Sequence, residues 1–270
     1  MSLKFAANLS FLFTELADLE ARYSAAKEAG FEAVEVAFPY TLPLVDVQRA
    51  LESNQQRQVL LNIFPGDLSA GELGHAALPG KEKEFQDALN LSITYCKALK
   101  CDRLHIMTGK IPDPSPEATK ECLLKKMEDT FIANLKYAAD ILSKEGILAL
   151  IEPLNKKTVP NYFLNSQYQA VDMIKKVGHP NLKLQMDLFH VQQQHGNITH
   201  IIKELYPYIG HIQVAQVPDR GQPDSPGELN YNYIFQLLQE LGYKGWIGCE
   251  YKPTGKTKDS FAWLTPWRNM

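Results

Sequence analysis

The chain has 270 residues, of which 45% are hydrophobic and 22% are charged. These fractions are typical of globular proteins and exclude a disordered chain, a collagen-like repeat and a disulfide-rich miniprotein. The formal net charge is −3, from 28 basic and 31 acidic residues, and because nucleic-acid-binding proteins usually carry a basic excess, we expect no nucleic-acid partner.

Short runs of apolar and β-branched residues alternate with longer amphipathic segments along the chain. The predicted strands are, in order, Phe5–Leu9, Ala33–Phe38, Val59–Phe64, Arg103–Met107, Ile147–Glu152, Leu182–Leu188, His211–Val217 and Trp246–Tyr251. Between them, apolar residues at spacings of three and four predict helices, for example over residues 16–30, 85–100, 131–146, 168–178 and 233–243. Eight strand–helix units in a chain of this length predict an α/β protein with a single (β/α)8 TIM barrel over residues 1–270.

The competing α/β architecture is a doubly wound open sheet. Such a sheet usually has a glycine-rich turn after its first strand, whereas here no glycine occurs before Gly30. We therefore favour the barrel. Several glycines are predicted to end helices, namely Gly30, Gly146, Gly178, Gly210 and Gly242.

Two long loops, residues 65–82 and 216–230, each follow a predicted strand. Loops longer than about 12–15 residues in a compact domain usually have a function. In a (β/α)8 barrel, loops that follow strands lie at the carboxyl face, where the active site is found. We therefore expect both loops beside the active site.

Four polar residues occupy the ends of four consecutive strands. They are Glu152, Asp187, Gln213 and Glu250, about one strand–helix unit apart. Three carboxylates at one place repel each other unless a cation binds them or some are protonated. An all-oxygen set of ligands suits Mg²⁺ or Mn²⁺, so we predict a divalent-metal site. The alternative is a set of ordinary strand-end residues that contact solvent or lysines.

Several segments resemble the hydroxypyruvate isomerase family, which belongs to the xylose isomerase-like barrels. They are FAANLS (5–10), GFEAVEVAFPY (30–40), GELGHAALPG (71–80), IEPLN (151–155), QMDLFH (185–190), HIQVAQVPDR (211–220) and GCEYKP (248–253). The resemblance runs from about residue 4 to residue 268. It implies a (β/α)8 barrel with one divalent metal that interconverts 3-hydroxypyruvate and 2-hydroxy-3-oxopropanoate, and it suggests a homo-oligomer.

The resemblance also implies roles for individual residues. Glu152 and Glu250 match the acid/base pair of the family, and the metal positions match Glu152, Asp187, Gln213 and Glu250. Many sugar isomerases of the superfamily have histidine where this chain has Gln213, and because an amide is the weaker ligand, we expect a lower metal affinity and a less strict metal requirement. We further predict that His190 and Arg220 bind the substrate, because arginine can pair with the carboxylate of a hydroxy-keto acid.

The chemistry itself requires proton transfer at two neighbouring carbon atoms. Moving a carbonyl by one carbon requires that a proton be removed beside it and returned at the neighbouring carbon, through an enediolate. A divalent ion would stabilise the charge that develops, and two carboxylates could exchange the protons. His105 lies within the fourth strand, either at the floor of this pocket or as a core histidine whose hydrogen bonds are satisfied.

Three other functions are compatible with parts of this pattern. A ketose 3-epimerase or another sugar isomerase could use the same four residues. A DNA-repair endonuclease with this barrel would need many histidine ligands and a basic face, which seven histidines and a net charge of −3 argue against. A catalytically silent barrel could serve as a scaffold, although the complete set of acidic residues argues against it.

The cysteines predict a reducing compartment. Cys96, Cys101, Cys122 and Cys249 include no pair with the two-residue gap of a redox or zinc motif, which is typical of reduced intracellular thiols. The first residues show no signal-peptide pattern, and no apolar run reaches the roughly 20 residues that span a bilayer. We therefore expect a cytoplasmic protein without membrane contacts.

Overall fold

Eight parallel strands form a closed barrel in the computed structural model, which describes residues 2–113 and 119–267. The strands follow one another around the barrel in chain order, and the first pairs with the last. They are β1 (Lys4–Asn8), β2 (Ala33–Val36), β3 (Arg57–Asn62), β4 (Arg103–His105), β5 (Leu148–Ile151), β6 (Leu182–Asp187), β7 (Ile209–Val214) and β8 (Trp246–Cys249). The predicted (β/α)8 barrel is confirmed.

Helices connect the consecutive strands. They are α1 (Leu19–Glu28), α2 (Leu44–Ser53), α3 (Glu82–Ala98), α4 (Lys120–Lys144), α5 (Gln167–Val177), α6 (Leu188–Gln194), α7 (Ile198–Leu205) and α8 (Tyr231–Glu240). Short 3-10 helices lie at Pro39–Thr41, Leu68–Ala70, Tyr206–Tyr208, Thr257–Asp259 and Ala262–Leu264. Within the two described ranges, no helix is both long and apolar enough to cross a membrane.

The connection between β6 and β7 contains two helices rather than the one that the sequence predicted. Helix α6 begins directly after Asp187, and the chain turns at Gly196 and Asn197, both with positive φ, before α7. The break follows from this left-handed backbone, which cannot continue a right-handed helix.

The predicted strands extended slightly too far at their carboxyl ends. Strand β5 ends at Ile151 and β8 at Cys249, where the last pairs of their ladders form. Glu152 and Glu250 therefore follow their strands directly, whereas Asp187 is the last residue of β6 and Gln213 lies within β7. All four still lie at the carboxyl rim of the barrel, because the strands are parallel.

One predicted helix-ending glycine was wrong. The other four have positive φ and follow helices, but Gly210 lies inside β7. A Cβ atom at this position would lie 2.7 Å from Leu150 Cδ2 and 2.7 Å from Lys183 Cβ. Gly210 is therefore explained by close packing between strands rather than by a turn.

Gly248 leaves space inside the barrel for the side chain of Glu35, which is 1% exposed. A Cβ atom at Gly248 would lie 2.3 Å from each carboxylate oxygen of Glu35. We expect Gly248→Ala to lower the free energy of unfolding by about 1–3 kcal/mol, the usual cost of overpacking a core. Urea denaturation measures this loss.

Gly255→Ala is the matched control, because an added Cβ there meets no atom within 4 Å. Its free energy of unfolding should stay close to that of the wild type. Equal effects of the two alanine substitutions would show that Gly248 is not needed to accommodate Glu35.

Candidate active site

Three buried side chains converge at the carboxyl ends of β5 and β6. One ligand atom each of Glu152, Asp187 and His190 lie within 4.8 Å of one another. Asp187 ends β6 and caps α6, since its Oδ1 accepts a hydrogen bond of 2.9 Å from the backbone N–H of Phe189. Because α6 starts there, His190 lies one helical turn later, on the same side as the carboxylate.

Arg220 connects Asp187 with Glu250. Its Nη2 donates to Asp187 Oδ2 at 2.9 Å and to Glu250 Oε2 at 2.8 Å. The guanidinium lies between the rings of Phe11 and Phe189, with its central carbon 4.5 Å and 4.7 Å from the ring centroids. The predicted substrate-binding arginine is thus held by two predicted metal ligands and two aromatic rings.

The fourth predicted ligand, Gln213, is connected to Glu152 through Gln185. The amide nitrogen of Gln185 donates to Glu152 Oε2 at 2.8 Å and to Gln213 Oε1 at 2.7 Å. Gln185 is not among the residues predicted from the sequence, although its position carries a signal. It lies two residues before Asp187 on the same strand, and residues two apart in a strand share a face.

Burial and mutual repulsion dominate the electrostatics of the acidic groups. Burial, followed by the charges of Glu250 and Asp187, raises the pKa of Glu152 well above its usual value. Burial likewise raises the pKa of Glu250 to about 8, although the positive charge of Arg220 opposes the shift. Both carboxyl groups therefore hold a proton more tightly than exposed glutamates do.

The hydrogen bonds of His190 define its tautomer. Its Nδ1 accepts from the backbone N–H of Asn155 at 3.0 Å, so the proton of the neutral ring is on Nε2. Burial lowers the pKa of His190 well below its usual value, so the ring is neutral at pH 7. A protonated Nε2 cannot bind a cation, but it can donate to a substrate oxygen, the role predicted from the sequence.

The arrangement fits a hard divalent cation. Glu152 Oε1 is buried and accepts no hydrogen bond within the described part of the chain. The predicted ligand atoms are all carboxylate or amide oxygens, which Mg²⁺ and Mn²⁺ prefer. Because an unpaired buried charge is costly, a cation would compensate Glu152, whereas Asp187 and Glu250 already pair with Arg220.

His105 lies at the end of β4 and is 1% exposed. Among residues 2–113 and 119–267, neither ring nitrogen forms a hydrogen bond, and Nδ1 lies 3.4 Å from Glu152 Oε2. The alternative of a core histidine with satisfied hydrogen bonds is therefore wrong. His105 instead lies beside the candidate site.

The buried His105 should make the fold sensitive to acid. Burial lowers its pKa from 6.5 to about 3, so below pH 6.5 the unfolded chain binds a proton that the folded chain does not. Stability is therefore lost as the pH falls through 6.5. When the pH is lowered from about 7 to about 5, the free energy of unfolding should fall in both proteins. The fall should be roughly 2 kcal/mol smaller in His105→Leu than in the wild type.

Urea denaturation at the two pH values measures this difference. The control is His200→Leu, since the His200 side chain is 62% exposed; its loss should equal that of the wild type. If the wild type and His105→Leu lost the same free energy of unfolding, the folded chain would not hold His105 in its neutral form, and the prediction would be contradicted.

Comparisons with known proteins agree with this architecture. The sequence profile of the xylose isomerase-like TIM barrel family matches residues 23–267. The hydroxypyruvate isomerase of Escherichia coli K12 is 40% identical over 266 residues, covering 98% of this chain and 100% of the relative. The 2-oxo-tetronate isomerase of Pectobacterium atrosepticum is 44% identical over 264 residues, covering 98% and 97%.

A solved structure is also similar over the full length. The crystal structure described as AP endonuclease, family 2, from Brucella melitensis has a TM-score of 0.93 and 43% sequence identity. It covers 100% of this chain and 100% of its own.

Proposed function

This chain belongs to the xylose isomerase-like TIM barrel family and, within it, to the hydroxypyruvate isomerases, and we propose that it interconverts 3-hydroxypyruvate and 2-hydroxy-3-oxopropanoate. The observation that carries the proposal is the buried group of Glu152, Asp187 and His190, with Glu250 attached through Arg220. The site contains two glutamates that can transfer protons, Glu152 and Glu250. It also contains hydrogen-bond donors, on His190 and Arg220, that can bind a small hydroxy-keto acid.

The reaction moves one proton between two carbon atoms. One glutamate removes a proton from the hydroxymethyl carbon of hydroxypyruvate, and the electron pair forms the enediolate. A proton is then delivered to the neighbouring carbon, and the hydroxyl proton moves to the other oxygen. We assign these transfers to Glu152 and Glu250, because burial raises the pKa of both groups above that of an exposed glutamate, the direction that favours acid–base catalysis at neutral pH.

The remaining residues bind and orient the substrate. The guanidinium of Arg220 can pair with the substrate carboxylate, and the Nε2–H of His190 can donate to its carbonyl or hydroxyl oxygen. The rings of Phe11 and Phe189 cover Arg220, which strengthens its electrostatic interactions by excluding water.

A divalent metal fits the same site. Glu152, Asp187, Gln213 and Glu250 would hold Mg²⁺ or Mn²⁺, which when bound would stabilise the negative charge of the enediolate oxygens. We also propose a cytoplasmic enzyme that self-associates and binds neither nucleic acid nor membranes. The net charge of −3 supports the proposal that nucleic acid is not a partner, and the four free cysteines support a reducing compartment, whereas self-association rests on the family resemblance.

An equilibrium assay tests the proposal. The purified chain should convert hydroxypyruvate, lose activity with a chelator and regain it with Mg²⁺ or Mn²⁺. A parallel assay uses 2-oxo-tetronate, because a relative that is 44% identical is named for it. Turnover of a keto-hexose without turnover of either acid would favour the ketose 3-epimerase. Full activity after complete metal removal would overturn the metal site while keeping the isomerase.

A further inference from the structure

We propose that Glu35 is a positioning residue of the candidate active site, which holds the amide of Gln213 so that its carbonyl oxygen faces Gln185, the residue that also donates to Glu152. Glu35 lies on β2, which β1 separates from β8, and none of the four predicted ligands belongs to β2. The inference rests on the proposed metal site, because its effect is exerted through Gln213.

The carboxylate of Glu35 is built into the barrel interior. It is 1% exposed and occupies the space that Gly248 leaves on β8. Its Oε1 contacts His211 Nε2, and its Oε2 accepts from Gln213 Nε2 at 2.9 Å and from Asn8 Nδ2 at 3.1 Å. A buried carboxylate is costly without such partners, so three donors from β1 and β7 compensate it.

These contacts leave one orientation for the amide of Gln213. Its nitrogen faces the carboxylate of Glu35, which can only accept, and its oxygen faces the amide nitrogen of Gln185, which can only donate. A flipped amide would place two acceptors together at Glu35 and two donors together at Gln185. Glu35 therefore helps to keep the carbonyl of Gln213 on the side of Gln185, whose amide nitrogen also donates to Glu152.

A second connection leads from Glu35 to Glu250. Asn8 Nδ2, which donates to Glu35, lies 3.4 Å from Glu250 Oε1. The Asn8 amide is itself oriented, because its Oδ1 accepts from the backbone N–H of Ser10 at 3.0 Å. Glu35 thus contacts Gln213 directly and Glu250 through one side chain.

Two substitutions separate hydrogen bonding from charge at Glu35. Methionine has a similar length but accepts no strong hydrogen bond, so Glu35→Met releases Gln213 and Asn8. Glutamine can keep its oxygen on these two donors and turn its nitrogen toward His211. The ring of His211 can adjust, because its Nδ1 has no hydrogen-bond partner in the described ranges, so the proton can move to Nδ1 and leave Nε2 as an acceptor.

The experiment measures Mn²⁺ binding by calorimetry on the full chain after chelator treatment and dialysis. We expect Glu35→Met to weaken Mn²⁺ affinity about 10- to 100-fold, the usual effect of losing a residue that supports a metal ligand. Glu35→Gln should keep an affinity close to that of the wild type. The ratio of kcat to KM for hydroxypyruvate should follow the same order.

The structural control is Gln58→Met. Gln58 is fully buried, and its hydrogen bonds are with Tyr23 and the backbone of Leu60 rather than with the site. This variant should lower the melting temperature, as should Glu35→Met, without changing Mn²⁺ affinity. It therefore separates a general loss of stability from a loss of positioning.

Each other outcome contradicts a specific statement. Unchanged Mn²⁺ affinity in a folded Glu35→Met chain would overturn the positioning role while leaving the metal site intact. Equal weakening by Glu35→Gln and Glu35→Met would also overturn it, because charge rather than orientation would then matter. A wild-type chain that binds no Mn²⁺ would overturn both the proposed metal site and this inference.

Discussion

Replacing Glu152 or Glu250 with glutamine should lower kcat about 100-fold or more, the usual effect of losing a general acid or base. Glutamine keeps the size of the side chain and an oxygen that could still bind a metal, but it cannot carry a proton at neutral pH. The barrel should remain folded, because the amide can retain part of the hydrogen bonding to Gln185 or Arg220. Steady-state kinetics with hydroxypyruvate and thermal denaturation measure the two effects.

Solvent isotope exchange should distinguish the two variants. Loss of the glutamate that faces the hydroxymethyl carbon should abolish exchange at that carbon. Loss of the other glutamate should still allow some solvent exchange at the hydroxymethyl carbon, although no product forms. Glu28→Gln, an exposed residue of α1, should behave as wild type. Near-normal turnover in either active-site variant would rule out a mechanism with two carboxylates.

Replacing Arg220 with methionine should raise the KM for hydroxypyruvate about 10- to 100-fold. The expected size follows from a hydrogen bond to a charged group, worth roughly 1.5–3 kcal/mol. Methionine keeps an unbranched apolar stem between Phe11 and Phe189 but has no charge. Because the contact positions the substrate in both the ground and the transition state, kcat should change less than KM.

A competitor without a carboxylate tests the assigned partner of Arg220. The inhibition constant of dihydroxyacetone should be much less affected by Arg220→Met than the KM of hydroxypyruvate. The control is Arg49→Met, since the Arg49 side chain is 63% exposed and pairs with Asp46 on α2. A fall in kcat at constant KM would contradict a role for Arg220 in substrate binding.

The sequence by itself determined the barrel and the rim of the site. Apolar residues spaced two apart specify a strand locally, and apolar residues spaced three to four apart specify a helix. A polar residue at the carboxyl end of an apolar strand can also be recognised from the sequence. For this reason Glu152, Asp187 and Glu250 could be placed at one end of the barrel. Gly210 shows the limit of local patterns, because a glycine before a strand is expected both at a helix end and at a tight contact between strands.

The tertiary structure alone decided which side chains face one another across the barrel. Glu35 precedes Gln213 by 178 residues, and nothing in the local pattern of β2 shows that Gly248 leaves space for its carboxylate. The same holds for the tautomer of His190, which depends on the backbone of Asn155 35 residues earlier, and for Arg220, which bridges Asp187 and Glu250. Periodicity determines the face and the end of a strand at which a residue lies, whereas its partners depend on how the closed barrel brings distant strands together.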